Sequence, residues 1–148
     1  MINLNTNTII YRPVRQVFDF VSAPENDFQW QYGTLFSSRL PGDTTKTIGT
    51  FFRSFGHLMG ERVQGTYEVT EFEMNKRYGF KSLSGALHSK TSYIFEPANG
   101  STKVNVSTQA NIGKSSQLNE RVLEKRMKKQ LKENLKMLKD LLEEKSLA

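Results

Sequence analysis

The sequence predicts an α+β fold, in which a seven-stranded antiparallel sheet packs against one long carboxy-terminal helix within a single domain, residues 1–148. Three observations predict it. Apolar residues recur with a period near two between residues 34 and 112, which is typical of strands. From Ser116 to Leu147 the chain contains neither Gly nor Pro, and apolar residues return at helical spacing. Between the first strand and the others lie two short segments with helical character.

The amino-terminal part combines one strand with these short helices. The stretch NTNTIIYRP, residues 5–13, favours an extended chain because β-branched residues and Tyr dominate its centre. Pro13 then suits the first turn of a helix, where its missing N–H is not needed. One face of this helix is predicted to be buried, because apolar residues recur at spacings of three and four: Val14, Val17, Phe18 and Val21. Pro24 ends it, and PENDFQW forms a second short turn that closes on Trp30.

Six further segments have strand character and are separated by turn signals. They are TLFSSRL (34–40), TIGTFFRSF (47–55), ERVQGTYEVTEFE (61–73), RYGFKSLS (77–84), HSKTSYIFEP (88–97) and TKVNVSTQANI (102–112). Short loops between consecutive strands predict antiparallel pairing. In the last segment one face is predicted to be covered and the other wet. The covered face carries Val104, Val106, Thr108, Ala110 and Ile112.

The carboxy-terminal helix supplies the cover for that face. Its predicted apolar stripe consists of Leu118, Val122, Met127, Leu131, Leu135, Leu138 and Leu142. The opposite face is rich in Lys and Arg: from Lys114 onward ten basic residues stand against six acidic ones, which is most of the formal net charge of +6. Acidic residues are interleaved with the basic ones, so we interpret this face as solvated and expect no nucleic-acid partner.

Composition excludes several other classes of protein. The chain has no Cys, which rules out disulfides and thiolate chemistry. No apolar run is long enough to cross a bilayer, so no integral membrane contact is expected. The first residues lack the layout of a secretory signal, which predicts a cytoplasmic location. The lysine-rich composition is compatible with a bacterial source.

The order of these elements carries a resemblance to a known superfamily. One strand, two short helices, six strands and a long helix, with the stretches IIYRPVRQVFDFVSAPENDFQW, IGTFFRSF, YEVTEFEMNKRYGF and YIFEPANGSTKV, resemble the START-related (SRPBCC, birch-pollen-allergen-like) proteins. The polyketide cyclase/dehydrase-like branch is the most similar. The resemblance implies a helix-grip fold, with a curved sheet wrapped around the last helix. It also implies that the short helices close one end and place Trp30 at a cavity wall or rim, where plain packing is the alternative.

A cavity between sheet and helix is predicted on the same grounds. Glycines lie within or beside the predicted strands, where Gly often marks a bend, and aromatic residues cluster in the same strands. The alternative is a solidly packed core. The residues predicted to contact a ligand are Trp30, Phe52, Arg53, Tyr67, Phe80, Tyr93, Phe95, Met127, Leu131 and Leu135.

Few residues suggest catalysis, and no catalytic residue can be specified from the sequence. His57 and His88 stand at predicted rim positions without a carboxylate cluster, so neither a metal site nor a cofactor is expected. Arg53 and Arg62 would bind a carboxylate or enolate oxygen if they faced inward, and would be solvated if they faced outward. Glu68 and Glu71 would lie on opposite faces of their strand unless a bulge intervened.

The function predicted from the sequence is binding of a small hydrophobic or aromatic molecule, lipid-like or polyketide-like. Two alternatives stay open: a cyclase, dehydratase or aromatase acting on a carbonyl compound, and an interaction protein similar to the chaperone-ATPase activators. A homodimer is compatible with the sequence, although nothing in it requires one.

Overall fold

The computed structural model describes residues 1–31, 34–39, 48–58, 61–84, 87–112 and 119–144. Seven strands, two short helices with a 3₁₀ turn between them, and one long helix follow one another in the predicted order. Their bounds are β1 (Ile2–Ile10), α1 (Val14–Val21), a 3₁₀ turn (Pro24–Asn26), α2 (Asp27–Trp30), β2 (Thr34–Arg39), β3 (Phe51–Leu58), β4 (Glu61–Glu73), β5 (Arg77–Ser82), β6 (Leu87–Ala98), β7 (Ser101–Ile112) and α3 (Glu120–Glu144). The predicted α+β class and helix-grip architecture are confirmed.

All seven strands form one antiparallel sheet with the order β1-β7-β6-β5-β4-β3-β2. Strands β2 to β7 therefore follow one another as a meander, and β1 adds to the far side of β7. The β6–β7 turn has positive φ at both central residues, 49° at Asn99 and 82° at Gly100. Asn-Gly is the sequence that tolerates this geometry, which matches the twist of the flanking strands. This turn fixes the β6–β7 register, in which Ala98 faces Ser101.

The long helix α3 lies across the inward face of the sheet and buries two apolar clusters. The large cluster includes Phe18, Phe95, Val104, Leu138 and Leu142, among other buried side chains from α1, the sheet and α3. The small cluster consists of Ile2, Leu4, Ala110 and Leu123. The large cluster lies towards the carboxy-terminal end of α3 and the small cluster towards its amino-terminal end. Leu131, in the middle of the helix, packs against both.

The helix stripe differs from the prediction at its amino-terminal end. Val122 is 43% exposed, and Leu123 is fully buried in its place, so the prediction for Val122 is wrong. The reason is spacing: Leu123, Met127, Leu131 and Leu135 repeat every four residues, whereas Val122 lies about 100° away around the helix. Leu118 lies outside the described residues.

A bulge in β4 brings two acidic side chains to one face. The pairing with β5 shifts between Val69 and Glu71, which leaves Thr70 as the extra residue. Glu68 pairs with Lys81 and Glu71 with Gly79, both of which lie on the outer face of the sheet. Both carboxylates form ion pairs there, Glu68 with Lys81 at 3.7 Å and Glu71 with Arg77 at 3.4 Å. The sequence allowed for this outcome only through a bulge, and the bulge exists.

Within the described part of the chain, no helix combines the length and the apolar character needed to cross a bilayer.

Candidate functional site

A cavity of about 230 Å³ separates the middle of α3 from the inward face of the sheet. It lies between the large and small apolar clusters, beside the short helix α2. The residues that line it come from α2, α3 and six of the seven strands, and most carry a polar group. They are Asp27, Gln31, Thr34, Phe52, Ser54, Tyr67, Phe80, Leu87, Ser89, Thr91, Tyr93, Thr108, Met127, Gln130, Leu131 and Asn134.

Small side chains at inward positions leave this space open. Ser54, Ser89, Thr91 and Thr108 all line the cavity, on strands whose inward faces carry Phe or Val farther along. Thr91 and Thr108 are buried and share a hydrogen bond between their hydroxyls at 3.2 Å. Because serine and threonine side chains are much shorter than that of Phe95, they do not fill the gap between the sheet and the helix.

Aromatic rings form one wall of the cavity. Phe52 stacks on Tyr67 with ring centroids 5.2 Å apart, and Phe80 meets both rings edge-on at 5.4 and 5.7 Å. Register explains this grouping, because Phe52 pairs with Tyr67 across β3–β4, and the three side chains share the inward face. The wall offers ring faces and edges against which an aromatic ligand can pack.

A chain of amide groups runs from helix to sheet along one wall of the cavity. The Asn134 side chain on α3 is 5% exposed and donates from Nδ2 to Gln31 Oε1 at 2.8 Å. Gln31, which directly follows α2, donates from Nε2 to the Tyr93 hydroxyl oxygen at 3.1 Å. Three elements thus meet at this point in a fixed order of donors and acceptors.

Asp27 places a carboxyl group on the cavity wall. Its side chain is half-buried and has no hydrogen-bond or ion-pair partner among the described residues. Burial raises the pKa of this carboxyl well above its ordinary value, and the nearby negative charge of Glu25 raises it further. Glu25 itself is paired with Arg39 at 3.2 Å. A desolvated, unpaired carboxyl in a cleft is a common feature of functional sites.

The tyrosines around Asp27 are held in the protonated form. Burial raises the pKa of Tyr67, Tyr78 and Tyr93, and the proximity of Asp27 raises each of them further. For Tyr93 the hydrogen bond from Gln31 opposes this effect in part. At neutral pH these phenols are therefore hydrogen-bond donors rather than anions.

A second, larger depression lies outside the cavity and shares a wall with it. This outer groove has a volume of about 560 Å³ and is lined by Phe28, Gln29, Trp30, Gln31, Thr34, Glu133, Asn134, Lys136, Met137 and Asp140. Gln31, Thr34 and Asn134 also line the inner cavity, so the amide chain separates the two spaces. Trp30 is 3% exposed and packs edge-on against Tyr93 at 6.1 Å, and its indole N–H has no partner among the described residues.

The structure places most of the predicted ligand-contacting residues at these two spaces. The inner cavity is lined by Phe52, Tyr67, Phe80, Tyr93, Met127 and Leu131, and the outer groove by Trp30. Phe95 and Leu135 belong instead to the large apolar cluster, where Phe95 contacts Phe18 at 5.2 Å. Both were predicted to face the cavity, and their longer side chains fill the sheet–helix interface there.

Arg53, one of the residues predicted to contact a ligand, does not line the cavity and takes the outward position that the sequence left open. Phe52 faces inward, so its neighbour Arg53 faces outward and is exposed, as is Arg62. The inward arginine is Arg39, which pairs with Phe52 in the β2–β3 register. Two adjacent phenylalanines, Phe51 and Phe52, hid this alternation in the sequence.

His57 and His88 are exposed, and the described residues contain no cluster of His, Asp or Glu suited to a metal ion.

Sequence reasoning missed Asp27, Gln31 and Asn134. Asn134 had a detectable signal, because it follows Leu131 by three residues on the buried stripe, where an amide is unusual. Asp27 and Gln31 gave none, because a short turn with polar residues looks solvent-exposed in sequence.

Comparison with solved structures finds the same fold at low sequence identity. A START superfamily protein from Mycobacterium smegmatis matches with a TM-score of 0.81 and 13% identity, over 97% of this chain and 99% of that one. The protein TTHA0849 from Thermus thermophilus matches with a TM-score of 0.79 and 18% identity, over 93% and 94%. The di-domain ARO/CYC BexL of the BE-7585A biosynthetic pathway matches with a TM-score of 0.75 and 16% identity, over 97% of this chain and 47% of that one.

Comparison with curated protein sequences finds no match. The family model described as polyketide cyclase / dehydrase and lipid transport matches residues 1–143, nearly the whole chain. The chain therefore belongs to this family.

Proposed function

We propose that the protein binds a small molecule of one or two rings, carrying at least one oxygen substituent, in the cavity between the sheet and α3. The Phe52–Tyr67–Phe80 ring wall meets the polar groups of Asp27, Tyr93 and the amide chain around one cavity, and this arrangement supports the proposal. Rings supply contact area, and a few placed polar groups supply orientation.

Volume supports a ligand of this size. A cavity of about 150 Å³ accepts benzene, and pockets for drug-sized ligands begin near 300 Å³. The 230 Å³ cavity lies between these values. A whole long-chain lipid would exceed it, whereas a two-ring compound fits with modest adjustment of Met127 and Leu131, both flexible and only partly buried.

Polarity further restricts the ligand. A purely apolar molecule would cover the Asp27 carboxyl and the Tyr93 O–H and leave both without partners, which costs roughly 1–3 kcal/mol for each such group. The lining is more polar than the sequence predicted. An oxygenated aromatic compound, of the kind that polyketide-like chemistry involves, satisfies both parts of the wall.

The proposal is tested by titrating the protein with 2-naphthol and following its amide resonances by NMR. We expect saturable shifts at the side-chain amides of Gln31, Gln130 and Asn134. Ser89→Leu should fill the cavity and weaken binding at least tenfold. Ser92→Leu, on the outward face of the same strand, is the matched control and should bind as the wild type does. Unsaturable shifts, or equal binding by both variants, would refute the proposal.

A second candidate function is proton transfer on a bound carbonyl compound, as in a cyclase or dehydratase. The position of Asp27 favours it, because the raised pKa of this carboxyl makes its carboxylate a stronger base at the cavity wall.

The test of this second candidate uses 2-acetylnaphthalene in D₂O. Asp27 would take a methyl proton next to the carbonyl, leaving an enolate that accepts a deuteron from solvent. Loss of the methyl proton signal should be faster with wild type than with Asp27→Asn; exchange at the buffer rate would reject this candidate.

A further inference from the structure

The amide chain determines which hydrogen-bonding groups of Gln31 and Tyr93 already have a partner and which do not. Asn134 Nδ2 donates to Gln31 Oε1, so the oxygen of the Gln31 amide faces α3. Its NH₂ group must then face the other way, where Nε2 reaches the Tyr93 hydroxyl oxygen at 3.1 Å. Gln31 therefore acts as a donor towards Tyr93, and this direction is set by Asn134.

Tyr93 accepts a hydrogen bond but has no acceptor for its own proton among the described residues. The side chain is 3% exposed and is held by the ring of Tyr78, stacked at 6.3 Å, and by Trp30, edge-on at 6.1 Å. Because Tyr93 lines the cavity, the space available to that O–H is the one a ligand would occupy.

We propose that Tyr93 determines the specificity of the cavity, donating its O–H to an uncharged carbonyl oxygen of the ligand, with Gln31 and Asn134 as the residues that position it. The inference rests on the binding function proposed above and names the ligand group that the cavity recognises. A carbonyl oxygen suits Tyr93 because it accepts without needing an acceptor for a proton of its own.

The charged side chains near the cavity favour a ligand with a neutral carbonyl group over a ligand with a carboxylate. Asp27 stands on the same cavity wall, and Glu25 contributes negative charge beside it. The cation on this side, Arg39, is already paired with Glu25. A ligand carboxylate would lie beside acidic side chains without a free cation among the described residues of the wall, whereas a ketone, aldehyde or ester brings no charge of its own.

The test compares 2-acetylnaphthalene with 2-ethylnaphthalene, which replaces the carbonyl by a methylene of similar shape. Binding of both is measured for wild type and Tyr93→Phe, which keeps the ring and removes the hydroxyl. The ratio of ketone to hydrocarbon affinity should fall about tenfold in Tyr93→Phe. Tyr11→Phe removes the hydroxyl of a 62% exposed tyrosine and should leave the ratio unchanged.

A spectroscopic readout tests the positioning roles. With ¹³C-labelled carbonyl in the ketone, the bound C=O stretch should lie at a lower frequency in wild type than in Tyr93→Phe. Asn134→Leu removes the donor that orients Gln31, and the band should broaden and move towards the Tyr93→Phe position. A merely structural role of Asn134 would change affinity but leave the band in place.

The outcomes separate the two proposals. If both probes bind and the affinity ratio is the same in wild type and Tyr93→Phe, carbonyl recognition by Tyr93 is refuted while binding in the cavity stands. If neither probe binds, both proposals fail together.

Discussion

The two halves of the sheet–helix interface are built from the same elements and differ in what their inward residues fill. Around the carboxy-terminal half of α3, Leu138 and Leu142 belong to one buried cluster with Phe18, Phe95 and Val104. Around the middle of α3, inward positions carry Ser89, Thr91, Thr108 and Asn134, and a cavity of about 230 Å³ results. The same strands and the same helix run through both regions, so side-chain size and polarity separate them.

We therefore expect stability to depend mainly on the packed half, and the proposed binding on the cavity half. The packed half also anchors α3 to β1, through Lys139 donating to the Ile9 carbonyl at 2.6 Å and Glu143 accepting from the Tyr11 amide at 2.9 Å. The cavity half contains an unpaired carboxyl and an indole N–H without a partner among the described residues. Proteins commonly give up stability where they bind.

The largest expected effect is in the packed half. Phe18 is 1% exposed and contacts Phe72 and Phe95 edge-on at 5.4 and 5.2 Å. Phe18→Ala should lower the free energy of unfolding by about 3–5 kcal/mol, measured by urea denaturation. Phe80→Ala, at the cavity wall where the ring is only partly buried, should cost clearly less. Equal losses of unfolding free energy in Phe18→Ala and Phe80→Ala would contradict the division into a packed half and a cavity half.

Adding atoms at a buried position should also destabilise the packed half more than the cavity half. Thr102 is fully buried in the packed half, and its hydroxyl donates to the Arg12 carbonyl at 2.9 Å. Thr102→Leu should cost about 2 kcal/mol because no space is available. Ser89→Leu, which adds a similar group where the cavity can take it, should cost less than about 1 kcal/mol in thermal unfolding. A larger loss for Ser89→Leu would mean that the cavity cannot accept added atoms.

A smaller effect is expected for the buried hydroxyl pair of the cavity half. Thr91→Val or Thr108→Val alone leaves the other hydroxyl unpaired and should cost about 1 kcal/mol. The double variant replaces both hydroxyls by methyl groups and should be nearly as stable as wild type. Denaturation of all four proteins gives the coupling, and additive losses would show that the hydrogen bond contributes nothing.

The smallest expected effect is at Asp27, where substitution should raise the free energy of unfolding instead of lowering it. Because its pKa is higher in the folded protein than in the unfolded chain, the folded state keeps the proton to a higher pH, and stability falls as the pH rises above about 4. Asp27→Asn removes the negative charge that lies near Glu25 and the surrounding tyrosines. This variant should gain about 0.5–1 kcal/mol at pH 7 and little at pH 3.5. A loss at pH 7 would show that the carboxylate is stabilised by a partner.

The fold could be predicted from sequence because its signals are local. Period-two alternation, turns such as Asn99–Gly100 and a Gly-free, Pro-free helix each specify one element, and the order of elements specifies the architecture. The cavity residues on the strands were predicted in part for the same reason: aromatic residues at Phe52, Tyr67, Phe80 and Tyr93 stand out.

The rest depends on register and on contacts distant in sequence. Whether Phe51 or Phe52 faces inward, and hence whether Arg53 or Arg39 reaches the interior, is decided by pairing with β2 and β4. The link from Asn134 to Gln31 joins residues 103 positions apart. No periodicity encodes such a contact, so the polar character of the cavity emerges only when the chain is folded.

Intermolecular NOEs between protons of bound 2-acetylnaphthalene and the protein methyl groups would show whether the inner cavity is the binding site. Contacts are expected to the methyl groups of Thr91 and Thr108, which line the inner cavity. Contacts confined to the methyl of Met137, which lines the outer groove, would contradict it.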